Sequence, residues 1–379
     1  MRDTASSPLP FIDLQAQRSR ISDQIDAAIR RVLDHGAFIM GPEVADVESQ
    51  LAERTGAAHC LTCASGTDAL ILPLMAADIG PGDAVLVPSF TFTSSPEVVA
   101  LRGATPVFVD VDPHTFNMDA DSLKAGLSAA EQAGLSAKAI MTVDLFGQPV
   151  DFDPIRDIAD QNGLWILDDA AQAFGATYKG SPLGTLGRVT GTSFYPSKPL
   201  SCYGDGGAVL TDDTDLYERM KCVRVHGNGG GSADAKCLGL TARFDSIQAA
   251  VLLEKLKIFD DECAERNDVA QRYSDGLSDV VQTPQLIDDA TSVWAQYTLV
   301  SDRRDTIVET LAAEGIPTAL FYPRPLHAQG PYRSYPVAGN GLPVTDRLAE
   351  QVVSLPMHPY LEPDAQARII AAVRAALSS

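Results

Sequence analysis

Between residues 19 and 33 the apolar side chains Ile21, Ile25, Ala28, Ile29 and Val32 recur three and four positions apart, the spacing of one helical face. His35-Gly36 ends that pattern, and Pro42 opens a second helix with Val44, Val47 and Leu51 on one side. Past residue 58 the pattern changes. Short apolar runs at 59–62, 84–87, 106–109, 139–143, 164–167, 191–194 and 208–211 read as strands. Helical patterns at 67–77, 97–101, 121–130 and 154–162 lie between them. Apolar strands alternating with helices predict an α/β fold, a mostly parallel seven-stranded sheet covered on both faces. Ligands of such sheets bind beyond the C-terminal strand ends.

Asn228-Gly229-Gly230-Gly231-Ser232 reads as a flexible loop. A long helix is expected over 246–272, with Ile247, Ala250, Val251, Leu253 and Leu256 as its apolar side. Strands at 297–300 and 317–323 and helices at 304–314 and 364–377 complete a smaller α+β unit. The expected division is a large domain, residues 1–250, entered through an arm at 1–18, and a small domain, 251–379. No internal repeat interrupts this order.

Composition narrows the function. The 379 residues are 45% hydrophobic and 21% charged, ordinary values for a globular enzyme. No apolar run reaches the ~20 residues that span a bilayer, and the N-terminus lacks a signal-peptide core. Six scattered cysteines then read as reduced thiols of a cytoplasmic protein. Cys60 and Cys63 form a C-x-x-C, but no second pair completes a metal site, so no metal is expected. The net charge of −21 argues against nucleic-acid or membrane partners. An anionic substrate therefore needs a local cluster of cations.

The candidate chemistry sits at strand ends. The run 164–167 delivers Asp168-Asp169-Ala170-Ala171-Gln172. The run 191–194 turns at Pro196, presents Lys198, and continues into Tyr203-Gly204-Asp205-Gly206-Gly207. An isolated loop lysine is ordinarily a surface residue. A lysine at one strand end facing an acid at another is what pyridoxal phosphate needs: an amine for the Schiff base and a carboxylate for the pyridinium nitrogen. Ser65-Gly66-Thr67 opens a helix, where free N–H groups suit a phosphate, although the same triplet is a common helix cap. Ser193 can add a hydroxyl. Phe92 can stack on a flat ring or serve as a core aromatic. Gln172 lies three residues beyond Asp169.

The order Ser-Gly-Thr, Phe-Thr-Phe, Asp-Asp-Ala-Ala-Gln, Ser-x-x-x-x-Lys, Gly-Asp-Gly-Gly resembles the DegT/DnrJ/EryC1/StrS sugar aminotransferases, fold type I pyridoxal phosphate enzymes built like aspartate aminotransferase. The resemblance runs from Phe11-Ile12-Asp13-Leu14 to Ser354-Leu355-Pro356-Met357-His358-Pro359. Pro196–Leu200, Cys202–Gly207 and Ala295-Gln296-Tyr297-Thr298 are most similar to the group acting on UDP-2-acetamido-2-deoxy-3-oxo-glucuronate. The resemblance implies Lys198 as the Schiff-base lysine and Asp169 at the ring nitrogen. It places Gln172 by the ring, Phe92 on its face, and Gly66, Thr67 and Ser193 at the phosphate. A Gly-x-Asn-x-Arg motif that the other subunit supplies in this family reads Gly239-Leu240-Thr241-Ala242-Arg243 here, with Thr241 in the asparagine's place. Phe321-Tyr322-Pro323 stands where the group has His-Tyr-Pro, leaving Tyr322 as a substrate contact. Arg243 is expected to bind the sugar. A homodimer with shared active sites follows, transferring the amino group of glutamate to a keto nucleotide-sugar in surface-polysaccharide or amino-sugar synthesis. The alternatives are a 4-keto-6-deoxy nucleotide-sugar aminotransferase and a non-catalytic regulator of the same fold. Lys198 speaks against the deoxygenating members, which carry histidine there, and no basic DNA-binding segment is present.

Overall fold

The computed structural model describes residues 9–228 and 234–378, so the glycines of the 228–232 loop and the first eight residues of the arm lie outside the described residues. Asp13 accepts the Ala16 N–H at 2.9 Å and starts α1 (Leu14–Arg20). The single helix expected over 19–33 is two. Ile21 leaves helical geometry at φ −132°, ψ 27°, which turns its side chain inward, and α2 (Ser22–His35) follows. Gly36, at φ 71°, ends α2 as a left-handed cap, and α3 (Pro42–Thr55) follows.

The next elements are β1 (His59–Cys63), α4 (Gly66–Ala76), β2 (Asp83–Pro88), α5 (Ser94–Leu101), β3 (Thr105–Val109), α6 (Ala120–Gln132), β4 (Ser136–Val143), α7 (Phe152–Asn162) and β5 (Trp165–Asp169). A two-residue hairpin, β6 (Thr177–Tyr178) with β7 (Ser181–Pro182), precedes β8 (Val189–Ser193), β9 (Gly207–Thr211) and α8 (Thr214–Arg224). The seven expected strands form one sheet, ordered β1-β9-β8-β5-β4-β2-β3. Every pairing from β3 to β8 is parallel, while β9 runs antiparallel to both β8 and β1. The apolar runs are apolar because helices cover both faces: Val85, Leu86, Val107, Ile140, Met141, Leu167 and Val209 are all buried.

The helix expected over 246–272 is also broken. It is α9 (Ser246–Leu256), which packs on α2 and α3, then α10 (Phe259–Leu277) after a turn at Lys257-Ile258. The boundary expected at residue 250 falls inside α9. A second apolar cluster joins α10 to β10 (Tyr297–Val300), α11 (Arg304–Ala313), β11 (Val352–Leu355) and α13 (Pro363–Ser378), with α12 (Pro343–Gln351) before β11. β10 pairs with β11, which the sequence pattern had not suggested. The strand expected at 317–323 is absent. Proline at both ends removes two ladder donors, and only Ala319 bridges to Ser354.

Gly207 sits where three segments meet, opposite Cys63 on β1 and Ser193 on β8. A Cβ there would lie 2.4 Å from the Ser65 carbonyl oxygen and 2.7 Å from that of Thr192. Both are main-chain atoms that cannot rotate away. Gly207→Ala is expected to cost about 1–3 kcal/mol, read as a lower urea midpoint. Gly204→Ala meets the Gln248 side-chain amide first, at 2.9 Å, and should cost less than Gly207→Ala because a side chain can give where a carbonyl cannot.

Candidate active site

Strand order brings the acid and the lysine together. β5 and β8 are parallel neighbours with Asp169 opposite Gly191, so both C-terminal ends open on one edge of the sheet. Asp169 is 5% exposed. Its Oδ1 accepts the Ala171 N–H at 3.1 Å and its Oδ2 the Ser95 hydroxyl at 3.2 Å. Burial raises its pKa above the ordinary aspartate value, while the Ala171 N–H and the charge of Lys198 pull it back. Asp168, its neighbour on β5, is fully buried and accepts the hydroxyls of Thr142 at 2.9 Å and Thr190 at 3.3 Å. An amide there would set an N–H₂ against a donor. Asp144 is buried beside it, accepts the Val150 N–H at 2.7 Å, and leaves Oδ2 without a hydrogen-bond donor. Burial raises both pKa values, and the Asp168 charge raises Asp144 further, so the pair retains a proton near neutrality.

Lys198 is held by a loop that folds back between β8 and β9. Its N–H bonds the Tyr195 carbonyl at 2.8 Å, and Cys202 N–H returns to the Phe194 carbonyl at 2.8 Å. Burial pushes the Lys198 ammonium down to about 8, against the opposing pull of Asp169. Two residues of α9 anchor the loop. Gln248 accepts the Tyr203 N–H at 2.8 Å. Lys255, only 2% exposed, donates to Ser201 Oγ at 3.1 Å and lies 4.5 Å from the Tyr203 ring centroid. Among the described residues no carboxylate bonds Lys255; burial pushes its ammonium down to about 8, while the C-terminal turn of α9 and the ring face favour its charge. Under the loop, Arg266 and His358 line a small cavity with Lys198, and among the described residues Arg266 Nε and both His358 ring nitrogens have no hydrogen-bond partner.

Ser65 caps α4 by accepting the Asp68 N–H at 3.0 Å, and its carbonyl takes the Ala69 N–H. The N–H groups of Gly66 and Thr67 remain at the helix start. A Cβ on Gly66 would come within 2.6 Å of Ser193 Cβ, so only glycine lets the helix approach β8 this closely. Gln172 accepts the Phe146 N–H at 2.9 Å and donates to the Tyr322 hydroxyl at 3.3 Å. Phe92 is 53% exposed, its ring centroid 6.4 Å from that of Tyr322. A buried carboxylate, a desolvated lysine, a helix start with a hydroxyl, and an exposed ring suit the four parts of pyridoxal phosphate: its ring nitrogen, aldehyde, phosphate and face. The residues present fit the cofactor.

Thr241 and Arg243 stand apart. Among the described residues, no hydrogen bond, ion pair or ring contact joins either to Lys198, Asp169, Gln172 or Tyr322. Thr241 is exposed and shares a 2.7 Å hydrogen bond with His226 Nε2. Arg243 is half-buried, has no acidic partner among the described residues, and leaves its Nε buried and unpaired. The sequence reading missed Ser95 and Lys255. Lys255 carried one weak signal, a cation flanked by Leu252, Leu253 and Leu256; Ser95 carried none.

A model of the DegT/DnrJ/EryC1/StrS aminotransferase family matches residues 19–374. The UDP-2-acetamido-2-deoxy-3-oxo-D-glucuronate aminotransferase of Pseudomonas aeruginosa is 46% identical over 355 residues, 93% of this chain and 96% of that protein. The dTDP-3-amino-3,4,6-trideoxy-alpha-D-glucose transaminase of Streptomyces venezuelae is 39% identical over 99% of this chain and 98% of its own length. The crystal structure of a DegT DnrJ EryC1 StrS aminotransferase from Brucella abortus superposes with a TM-score of 0.96 at 48% identity, covering 98% of this chain and 100% of that one.

The Lys198 environment yields a pH test. With its pKa at about 8, roughly one Lys198 in ten is a free amine at pH 7, against about one in three thousand at the ordinary value. The rate at which the apoenzyme captures an aldehyde at Lys198 should rise about tenfold per pH unit up to about 8, then level off. A rate still climbing tenfold per unit to pH ~10 would mean an ordinary, solvated lysine.

Proposed function

The chain belongs to the DegT/DnrJ/EryC1/StrS aminotransferase family, and from that premise we propose that it moves the amino group of glutamate onto C3 of UDP-2-acetamido-2-deoxy-3-oxo-glucuronate. The family's aminotransferases depend on pyridoxal phosphate, which when bound supplies an electron sink for the donor's Cα. In this reading Lys198 Nζ would take the proton from the donor Cα and, in the second half-reaction, deliver a proton to C3 of the sugar, helped by its lowered pKa. Asp169, held in place by Ser95 and the Ala171 N–H, would keep the ring nitrogen protonated. Gln172, tied to Tyr322, would border the ring and Phe92 would lie on its face. Gly66, Thr67 and Ser193 would hold the phosphate. These groups lie in a first unit that we end with α9, and Tyr322 comes from the second.

Thr241 and Arg243 serve the active site of a second copy, which makes the enzyme a homodimer with shared sites; we place it in the cytoplasm. The observation that carries the choice of sugar is the unpaired Arg243. Asp245, two residues on, is exposed and forms no ion pair with it among the described residues. The alternative reading as a loop tether is therefore unsupported. A guanidinium free of acidic partners can take a carboxylate through two parallel hydrogen bonds, and a uronate offers one at C6. In a chain of net charge −21 such a cation is needed to draw an anionic sugar in. The relative named for a trideoxyglucose marks the competing substrate class, which lacks that carboxylate.

The deciding experiment compares kcat/KM for a 3-keto uronate and a neutral 3-keto sugar in wild type and Arg243→Ala. The uronate is expected to lose on the order of 2–5 kcal/mol of transition-state binding and the neutral sugar much less. Equal losses would remove the uronate from the proposal. Asp169→Asn should lower kcat more than substrate affinity, whereas Asp168→Asn should show first as lost thermal stability.

A further inference from the structure

Two of the six cysteines, Cys222 and Cys237, lie in the wall of a cavity of about 1010 Å³. Cys222 stands in the last turn of α8, half-buried, and its thiol donates to the Gly227 carbonyl at 2.9 Å. Cys237 is exposed, and its Sγ lies 3.7 Å from Cys222 Sγ. The backbone holds them there. Lys236 N–H bonds the Gly227 carbonyl at 2.7 Å, and Leu240 N–H bonds the Val223 carbonyl at 2.8 Å. Gly227 is packed so tightly that a Cβ on it would sit 1.8 Å from the Cys237 carbonyl oxygen. The remaining thiols are placed otherwise: Cys60, Cys63 and Cys202 are buried and Cys263 is half-buried.

The cavity around this pair is basic on an acidic protein. Its charged walls are Arg102, Arg219, Lys221 and Lys236 against Asp78 and Glu218, a local excess of two positive charges on a chain of net −21. Asp78 pairs with Arg219 and Glu218 with Lys221. Arg102 and Lys236 have no acidic partner among the described residues, so the wall keeps unpaired positive charge for an anionic ligand.

We propose that Cys222 and Cys237 are a redox modification site that exchanges with an anionic low-molecular-weight disulfide of the glutathione class. One protein thiolate attacks a sulfur of the small disulfide and expels a small thiolate. The second protein thiolate attacks the resulting mixed disulfide and expels the other. Two protein thiols become one disulfide, the small disulfide becomes two thiols, and the two protons pass from the protein sulfurs to the released ones. The bridge closes a ring from residue 222 to 237, two residues before Gly239, and so fixes the base of the segment that carries Thr241 and Arg243. The site stands whether or not the sugar assignment does.

The test uses the full-length holoenzyme and glutathione disulfide in large excess. Burial against Cys222 raises the pKa of the Cys237 thiol, so the exchange is run at mildly alkaline pH. Peptide mapping should find a Cys222–Cys237 link, with a loss of about two mass units per chain that dithiothreitol reverses. Cys222→Ser should instead trap glutathione on Cys237, because the resolving thiol is gone. The proposal is overturned if wild type keeps a stable glutathione adduct on Cys237 with no link. It is equally overturned if the link forms among the other four cysteines, or if Cys222 and Cys237 both remain reduced while a maleimide labels Cys237.

Discussion

Opposite charges kept out of water at the open edge of a parallel sheet govern this molecule. Lys198 and Asp169 are each pushed toward neutrality by burial and toward ionisation by the other. The balance leaves the lysine near pH 8, close enough to neutral to act as a base and still attracted to a carboxylate. Neither effect alone gives that result. A solvated lysine stays protonated, and a desolvated one without Asp169 would hold its proton less tightly.

Keeping these charges dry requires close packing from three directions, and the sequence meets that need with small residues. Gly66 lets α4 press on Ser193, and Gly207 lets β9 pass under Ser65 and Thr192. Gly206 lies against Phe244 and Cys202, where a Cβ would come within 2.4 Å of the phenylalanine ring. Behind the site, Thr142 and Thr190 satisfy Asp168, and the retained proton spares the interior a third negative charge beside Asp169. Lys255 and Gln248 then fix the loop from α9, so the same helix that packs on α2 and α3 also sets the position of Lys198. Stability of the core and geometry of the site are therefore one problem here.

The second constraint is electrostatic on a larger scale. A surface of net charge −21 is unfavourable for any phosphate-bearing substrate. Positive charge is retained at a few places: the start of α4, the unpaired Arg243, and the basic wall beside Cys222 and Cys237. The chain from 237 to 243 links the last two of these, since Cys237 stands at its start and the guanidinium near its end.

The sequence by itself determined the layered α/β architecture, because buried parallel strands must be apolar along their whole length and that pattern is local. It also determined the candidate lysine and acid, since residues at strand ends are placed by the strands themselves. Helix breaks at Ile21 and Lys257 escaped it, because an apolar face continues across a kink that only tertiary packing imposes. The strand read at 317–323 failed for the complementary reason. Its residues are apolar enough, but proline at both ends denies it a ladder, and β11 takes the place beside β10. Only the tertiary structure decided which polar residues are buried. Asp144 lies 24 residues before Asp168, and Lys255 57 residues after Lys198, and apart from the leucines beside Lys255 nothing in their neighbours announces either. Burial of a charge is a property of the surfaces that close over it, and those surfaces come from elements far apart in the chain.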